Sequence, residues 1–450
     1  MEIEILDFDD LGSGLGKINE KVCFVKNGLP KEILKVKIVK ENKNYSNCEI
    51  ENIILKNKNR INPICPFYQE CGGCNFLHAT KSLENKFKIK KGEKFLGKIE
   101  KFYETREFNY RNKVIFHVKN GDIGFFKEKT NELVSINYCY LLNDKINEVL
   151  KLFLKNKDLN FNGNILIRVN NLEDSLVAIT GSYKYIDLIK TSNLITNLIY
   201  NDKVIKGNSY FYEVVSNYKF KVSYKSFFQV NLDGLISIKI ILESFLQDKN
   251  IRNALDLYSG TSVLGIIISK YVKNVISVEE NKSSTDDALI NKELNKINNL
   301  QVINGRVEDY IDTFKDIDLI ILDPARRGLD LKTISYLKKI KSKYLIYIAC
   351  KMDSLRRDTK YLKDDYEVLE NYLVDMFPRT NEVESVSILK SLGVIVKEHK
   401  FTSFRFDEAR NMALSMTPDD ALCVSTDLDE VFLPGWRKLL EDNYFHLITS

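Results

Sequence analysis

Cys350 follows the run Tyr344 to Ile348, whose aromatic and β-branched residues read as a buried strand. A charged helical stretch, SLRRD, comes just after it. A thiol at the end of a strand in an open α/β sheet faces the crevice where such sheets bind ligands. There its thiolate is a nucleophile; the plainer alternative is a small apolar side chain filling a gap. Two carboxylates, Glu382 and Glu384, precede a later apolar run. Near a nucleophilic thiol either one can take a proton, and the alternative is two solvated acids. The run IDLIILDP ends in Asp323–Pro324. Proline stops the strand and projects Asp323 and Arg326 over the sheet edge. Arg326 or Arg327 suits a phosphate or a base carbonyl.

Upstream, NALDLYSGTSVLGIIISK reads as strand, tight turn and helix, with Asp256 ending the strand and Gly260 in the turn. About twenty residues on, VISVEEN ends a second strand with Glu279. A close backbone turn and an acid for ribose hydroxyls follow the logic of the dinucleotide fold. The full glycine cradle for a pyrophosphate is missing, which favours a cofactor such as S-adenosylmethionine. A general nucleotide site or a purely structural unit is the alternative. Just before this unit, Gln229 and Asn231 interrupt the apolar run of SFFQVNLDG.

A second cluster of chemistry lies near the N-terminus. Cys65, Cys71 and Cys74 form C-x5-C-x2-C, with two glycines between the last pair. Glycines let the backbone wrap closely around a ligand. Iron–sulfur clusters and zinc both take four such ligands. The fourth is Cys139 or His78; Cys139 is preferred because it completes the all-cysteine set of a [4Fe–4S] cluster. Zinc is the alternative metal. Cys23, Cys48 and Cys423 are isolated and read as packing residues.

These groups need elements to hold them. Residues 1–57 alternate in short segments separated by GSGLGK, NGLP and ENKN, the pattern of a small β-barrel. Lys17, Lys26, Lys35 and Lys37 would serve an oligonucleotide-binding face or simply solvate the domain. Residues 82–128 are basic with interleaved aromatics, read as a helix with a lysine-rich face and then strands turning at Lys119–Asn120–Gly121–Asp122. That mixture suits single-stranded RNA, or else a solvated face. Residues 141–225 alternate strands and helices without visible chemistry. The domains expected are 1–57, 58–225, 226–392 and a tail, 393–450. The fold class is α/β, with a Rossmann-like domain behind the barrel and an α+β centre.

With 44% hydrophobic residues a large core is available, and a net charge of +5 permits a nucleic-acid partner without demanding one. No apolar run is long enough to span a bilayer. The acidic start MEIEILDFDD is unlike a signal peptide, so a cytoplasmic protein is expected, with cysteines used for metal or catalysis. A monomer is expected.

Taken together, CxxxxxCGGC, YRNK, GFFKEKTNELVSINYC, SFFQVN, DLYSG, DPARRG, the cysteine before SLRRD, and DMFPRTNEVESV resemble a known family. It is the S-adenosylmethionine-dependent RNA uridine-C5 methyltransferases, and within it the 23S ribosomal-RNA branch with a TRAM barrel and a [4Fe–4S] cluster. The resemblance covers residues 1 to about 390. It implies cluster ligands at Cys65, Cys71, Cys74 and Cys139. It implies cofactor contacts at Gln229, Tyr258, Gly260, Glu279 and Asp323, the nucleophile at Cys350, and the base that removes the C5 proton at Glu384. A nearby cation or helix N-terminus should lower the thiol pKa, with Lys351, Arg356 and Arg357 as candidate cations. There are departures. Ser262 replaces the second glycine of the family's turn, and Val263 replaces a polar contact. Lys351 and Met352 replace Asn-Pro, and Glu382 stands where a histidine is usual. A transfer-RNA enzyme, an impaired RNA-binding paralogue and an iron–sulfur redox enzyme are the alternatives. The tail resembles a fragment of a family-2-type glycosyltransferase, with Asp427 and Asp429 as its acid pair.

Overall fold

The computed structural model describes residues 1–392. The tail, with Cys423 and the pair Asp427 and Asp429, lies outside the described residues.

The N-terminal segments close into a five-stranded barrel in the order β1-β2-β3-β5-β4. Its strands are β1 (Glu2–Phe8), β2 (Gly14–Ile18), β3 (Lys21–Val25), β4 (Ile33–Glu41) and β5 (Tyr45–Leu55). Alternation decides the inside: Ile3 and Ile5 are buried while Glu2 and Glu4 face out. Cys23 and Cys48 fill the barrel core beside Val25, Leu34 and Val36, the packing role expected of them.

Helix α1 (Lys81–Leu96) and strand β6 (Lys101–Tyr103) come next. The lysines of α1 do not form the free basic face expected from the sequence. Lys88 is fully buried against Glu84 (2.7 Å) and Asp375 (2.6 Å). Lys81 also pairs with Asp375, and Lys90 and Lys94 reach Asp7 and Asp10 of the barrel region. Acids from two other parts of the chain pair with four of the six lysines of α1.

The central region is a seven-stranded sheet, β13-β12-β11-β10-β7-β8-β9. Its elements are β7 (Lys113–Lys119), β8 (Asp122–Phe126), β9 (Leu133–Ser135), α2 (Asp144–Lys155), β10 (Gly163–Val169), β11 (Ser175–Thr180), α3 (Ile186–Thr191), β12 (Asn197–Tyr200) and β13 (Lys203–Lys206). The β7–β8 hairpin turns where expected: Asn120 and Gly121 both take positive φ, the two-residue geometry that matches strand twist. Helix α2 buries Ile146, Val149, Leu150 and Phe153 against the sheet.

A two-stranded ribbon, β14 (Tyr210–Val215) and β15 (Tyr218–Ser223), leads into the C-terminal α/β unit. That unit contains α4 (Leu232–Leu246), β16 (Ile251–Leu257), α5 (Val263–Ile268), β17 (Val272–Glu279), α6 (Lys282–Leu294), β18 (Leu300–Asn304), α7 (Val307–Tyr310), β19 (Leu319–Leu322), α8 (Leu331–Ile340), β20 (Tyr344–Ala349), α9 (Met352–Leu362), β21 (Tyr366–Val374) and β22 (Glu384–Ser391). The sheet order is β18-β17-β16-β19-β20-β22-β21-β6. Strands β16 to β20 run parallel, and β22 is antiparallel to β20. Every residue of β19 and β20 is buried, as strands covered on both faces must be. The edge strand β6 comes from residues 101–103, in the stretch that sequence alone places with the central region. No helix among the described residues is long and apolar enough to cross a membrane.

Candidate active site and cysteine cavity

Strand order reverses at β16, which has β17 on one side and β19 on the other. A crevice opens outside the carboxyl ends at such a switch point. Here it is a cavity of about 540 Å³, lined by Gln229, Tyr258, Gly260, Glu279, Asp323, Cys350 and Glu384 among others. All seven residues expected from the sequence to bind cofactor or act on substrate are brought together in it.

The turn after β16 is unusual backbone. Tyr258, Gly260 and Ser262 all have φ between +54° and +62°. Glycine accepts that region freely; Ser262 does not, and it is fully buried as well. A glycine there would fit without strain. Two carboxylates pin the turn. Asp256 accepts from the Gly265 N–H (2.9 Å) and the Ser277 hydroxyl (3.1 Å). Glu279 accepts from the Gly260 N–H (3.0 Å) and the Asn281 N–H (2.7 Å). The hydroxyls of Ser259, Thr261 and Ser262 are buried with no partner in the protein. Ser259 and Thr261 face the cavity, so its wall carries polar groups that a ligand would satisfy.

The opposite wall is the Asp323–Gly328 turn. The Ser354 hydroxyl of α9 holds it through the Arg326 carbonyl (2.7 Å). Strand register brings thiol and carboxylate together. Ala349 of β20 pairs with Ser385 of β22, so Cys350 and Glu384 are the next facing positions. The Ser385 hydroxyl bonds the Ala349 carbonyl (2.9 Å) and locks that register.

The electrostatics overturn one expectation. Burial first, then the Glu384 carboxylate, push the Cys350 thiol up to about 11; Asp323 and Glu382 add to this and Arg326 opposes it. Lys351 is exposed at the start of α9, Arg356 lies over Phe95, and Arg357 pairs with Asp358 at 2.6 Å. The cation that bears on the thiol is Arg326. Burial and the Asp323 and Glu382 carboxylates raise Glu384 well above the ordinary carboxylate range, again opposed by Arg326. Burial and Asp256 push Asp323 up to about 7. Glu382 stands 4.0 Å from Arg326.

Sequence reasoning passed over Phe227, Arg306, Glu308 and Asp330, which also line the cavity. Phe227 is a large apolar side chain 56% exposed at a ligand site. Glu308 follows the carboxyl end of β18 as Glu279 ends β17, and that parallel was readable.

In the central region, Cys65, Cys71, Cys74 and Cys139 carry free thiols, each partly buried, around a cavity of about 530 Å³. Burial, then Cys71 and Cys65, push Cys139 up to about 11. Among the described residues no group of three or more His, Cys, Asp or Glu is drawn tightly enough to hold a metal ion. His78 is a core residue: its Nδ1 lies 2.6 Å from the Tyr68 hydroxyl, and it stacks on Tyr68 and Phe76. Burial lowers its pKa to about 3.

Residues 201–392 match the family model described as tRNA (uracil-5-)-methyltransferase, and residues 1–50 match the TRAM domain. The chain is 30% identical to a protein of Clostridium acetobutylicum named an uncharacterized RNA methyltransferase, over 86% of this chain and 96% of that relative. A Fusobacterium nucleatum protein of the same description is 31% identical, over 84% of this chain and 93% of its own length. The crystal structure of the Pyrococcus abyssi tRNA (uracil-54, C5)-methyltransferase with S-adenosyl-L-homocysteine shares the fold. Its TM-score is 0.71 at 21% identity, and the match covers 86% of this chain and 99% of that one. Nothing in these comparisons supports a glycosyltransferase reading of the tail. The chain belongs to the S-adenosylmethionine-dependent RNA (uracil-C5)-methyltransferases and carries a TRAM domain at residues 1–50.

Proposed function

We propose that this enzyme methylates C5 of a uridine in 23S ribosomal RNA, in the cytoplasm, with Cys350 as nucleophile and Glu384 as base. The observation that carries the assignment is the strand register that seats thiol and carboxylate side by side in one cavity. Residues 1–57 and 58–225 are assigned to RNA binding and 226–392 to catalysis. Ribosomal RNA is supported by the barrel and the cysteine cavity occurring in one chain. A transfer RNA is the second reading, supported by the description of the matching family model.

When bound, S-adenosylmethionine supplies an electrophilic methyl group on a positively charged sulfur. Gln229, Tyr258, Gly260, Glu279 and Asp323 would hold it, with the unpartnered hydroxyls of the turn satisfied by ligand. Asp323, Glu382 and Glu384 form an acidic surround that suits a cation. Uracil C5 is a weak nucleophile by itself. Cys350 gives up its proton to solvent and its sulfur bonds to C6, which places carbanion character on C5, where the methyl is received. Glu384 then takes the C5 hydrogen as a proton, the C5–C6 double bond re-forms, and the sulfur leaves. Its raised pKa makes Glu384 a stronger base than an ordinary carboxylate. The target base leaves its stack to reach the cavity.

Cys65, Cys71, Cys74 and Cys139 would hold a [4Fe–4S] cluster. Four free thiols around one cavity fit a cluster that takes one ligand per iron. Zinc, which takes four thiolates at about 2.3 Å, is the alternative metal for the same four cysteines.

The test is total RNA incubated with labelled cofactor, followed by mapping of the methylated base. A 5-fluorouridine substrate should trap a denaturation-resistant adduct that Cys350→Ala abolishes. No transfer and no adduct from cofactor-loaded protein would make this an inactive RNA-binding paralogue.

A further inference from the structure

The loop that ends in Glu384 is held from behind by parts of the chain outside the catalytic region. Asp375, at its start, takes Lys81 and Lys88 of α1. The Arg379 carbonyl accepts the N–H of Asn75 (3.0 Å) and of Phe76 (3.2 Å), the two residues after Cys74. The Arg379 guanidinium is almost fully buried and donates to the Ala79 carbonyl (2.8 Å) and the Glu84 carboxylate (3.1 Å). The Arg379 N–H donates to the other Glu84 oxygen (2.7 Å). Two residues on, the Asn381 N–H donates to the Asn75 side chain (3.1 Å), and its own amide reaches the Leu11 carbonyl (2.9 Å). Arg379 has φ +66°, a conformation that a residue with a side chain keeps only when its surroundings enforce it.

We infer that Arg379 and Asn75 are positioning residues: they clamp the cysteine loop to the base-bearing loop, so the placement of Cys74 is transmitted to Glu384. The proposal rests on Glu384 being the C5 base. The clamp explains why so large a buried cation sits five positions before the base and contacts nothing in the cofactor cavity. It makes the cysteine loop a requirement for the chemical step, beyond any part it has in gripping RNA. Loss of the clamp leaves Cys350 and the cofactor turn in place. Addition to C6 and methyl transfer then proceed, but removal of the C5 proton stalls, and the covalent enzyme–RNA complex accumulates.

The experiment uses the full-length enzyme with cofactor and an unmodified uridine-containing RNA, following steady-state kinetics and denaturation-resistant complex on gels. Glu384→Gln is the reference and should accumulate complex. Asn75→Ala, which leaves no buried charge uncompensated, should accumulate it as well. Its kcat should fall roughly tenfold with KM for RNA within about twofold, the pattern of a lost transition-state interaction. Arg379→Gln, if it folds, should do the same more severely. If Asn75→Ala turns over like wild type, or changes only KM and forms no complex while Glu384→Gln does, the clamp is refuted and the base assignment stands. If Glu384→Gln accumulates no complex, the base assignment fails and the clamp with it.

Discussion

Burial, and then the carboxylates around it, govern the reactivity of Cys350. With its thiol pushed up to about 11, only about one part in ten thousand is thiolate at neutral pH. Iodoacetamide should therefore alkylate Cys350 slowly in the cofactor-free protein. The rate should climb about tenfold per pH unit between pH 7 and 10, read by mass spectrometry of the modified peptide. A plateau below pH 8 would mean that Arg326 outweighs the acids. Ser262 is the second point of interest at this scale. Its left-handed backbone costs a side-chain-bearing residue about 1–2 kcal/mol, and glycine returns part of that in the unfolded chain. Ser262→Gly should stabilise the cofactor-free protein by about 1 kcal/mol in urea unfolding. The residue types were legible: all seven expected site residues meet in one cavity. The charge balance around the thiol was not, because Lys351, Arg356 and Arg357 are near Cys350 in sequence while Glu384 and Arg326 arrive through folding.

At the scale of elements, α1 shows how a local pattern misleads. Its lysines resemble a nucleic-acid face until the acids of the barrel region and of Asp375 are placed against them. Partners nearly three hundred residues distant leave no trace in a window of twenty. Lys88→Met should cost about 3–5 kcal/mol in thermal or urea unfolding, because Glu84 and Asp375 would stay buried with less compensation. Substituting the exposed Lys86 should cost little. The strands of the catalytic sheet were easier: the apolar runs of β19 and β20 and the turn after β16 are strong local signals, and each formed where expected.

For the whole molecule, the barrel and the α/β unit were readable from composition and spacing. The boundary at 226 was not, since three residues of an edge strand carry almost no periodicity. A fragment beginning at 226 lacks both α1 and β6 and would expose the edge of β21. It should be aggregated or lack a cooperative thermal transition by circular dichroism, whereas the full chain melts cooperatively. The pairing of Lys101–Tyr103 with Tyr372–Val374 also bears on how the enzyme is made. At roughly 5–20 residues per second on the ribosome, the first of these partners waits many seconds for the second to emerge. The catalytic sheet is thus among the last parts of the described chain to be finished, and methyl-transfer competence comes only once translation has passed Ser391.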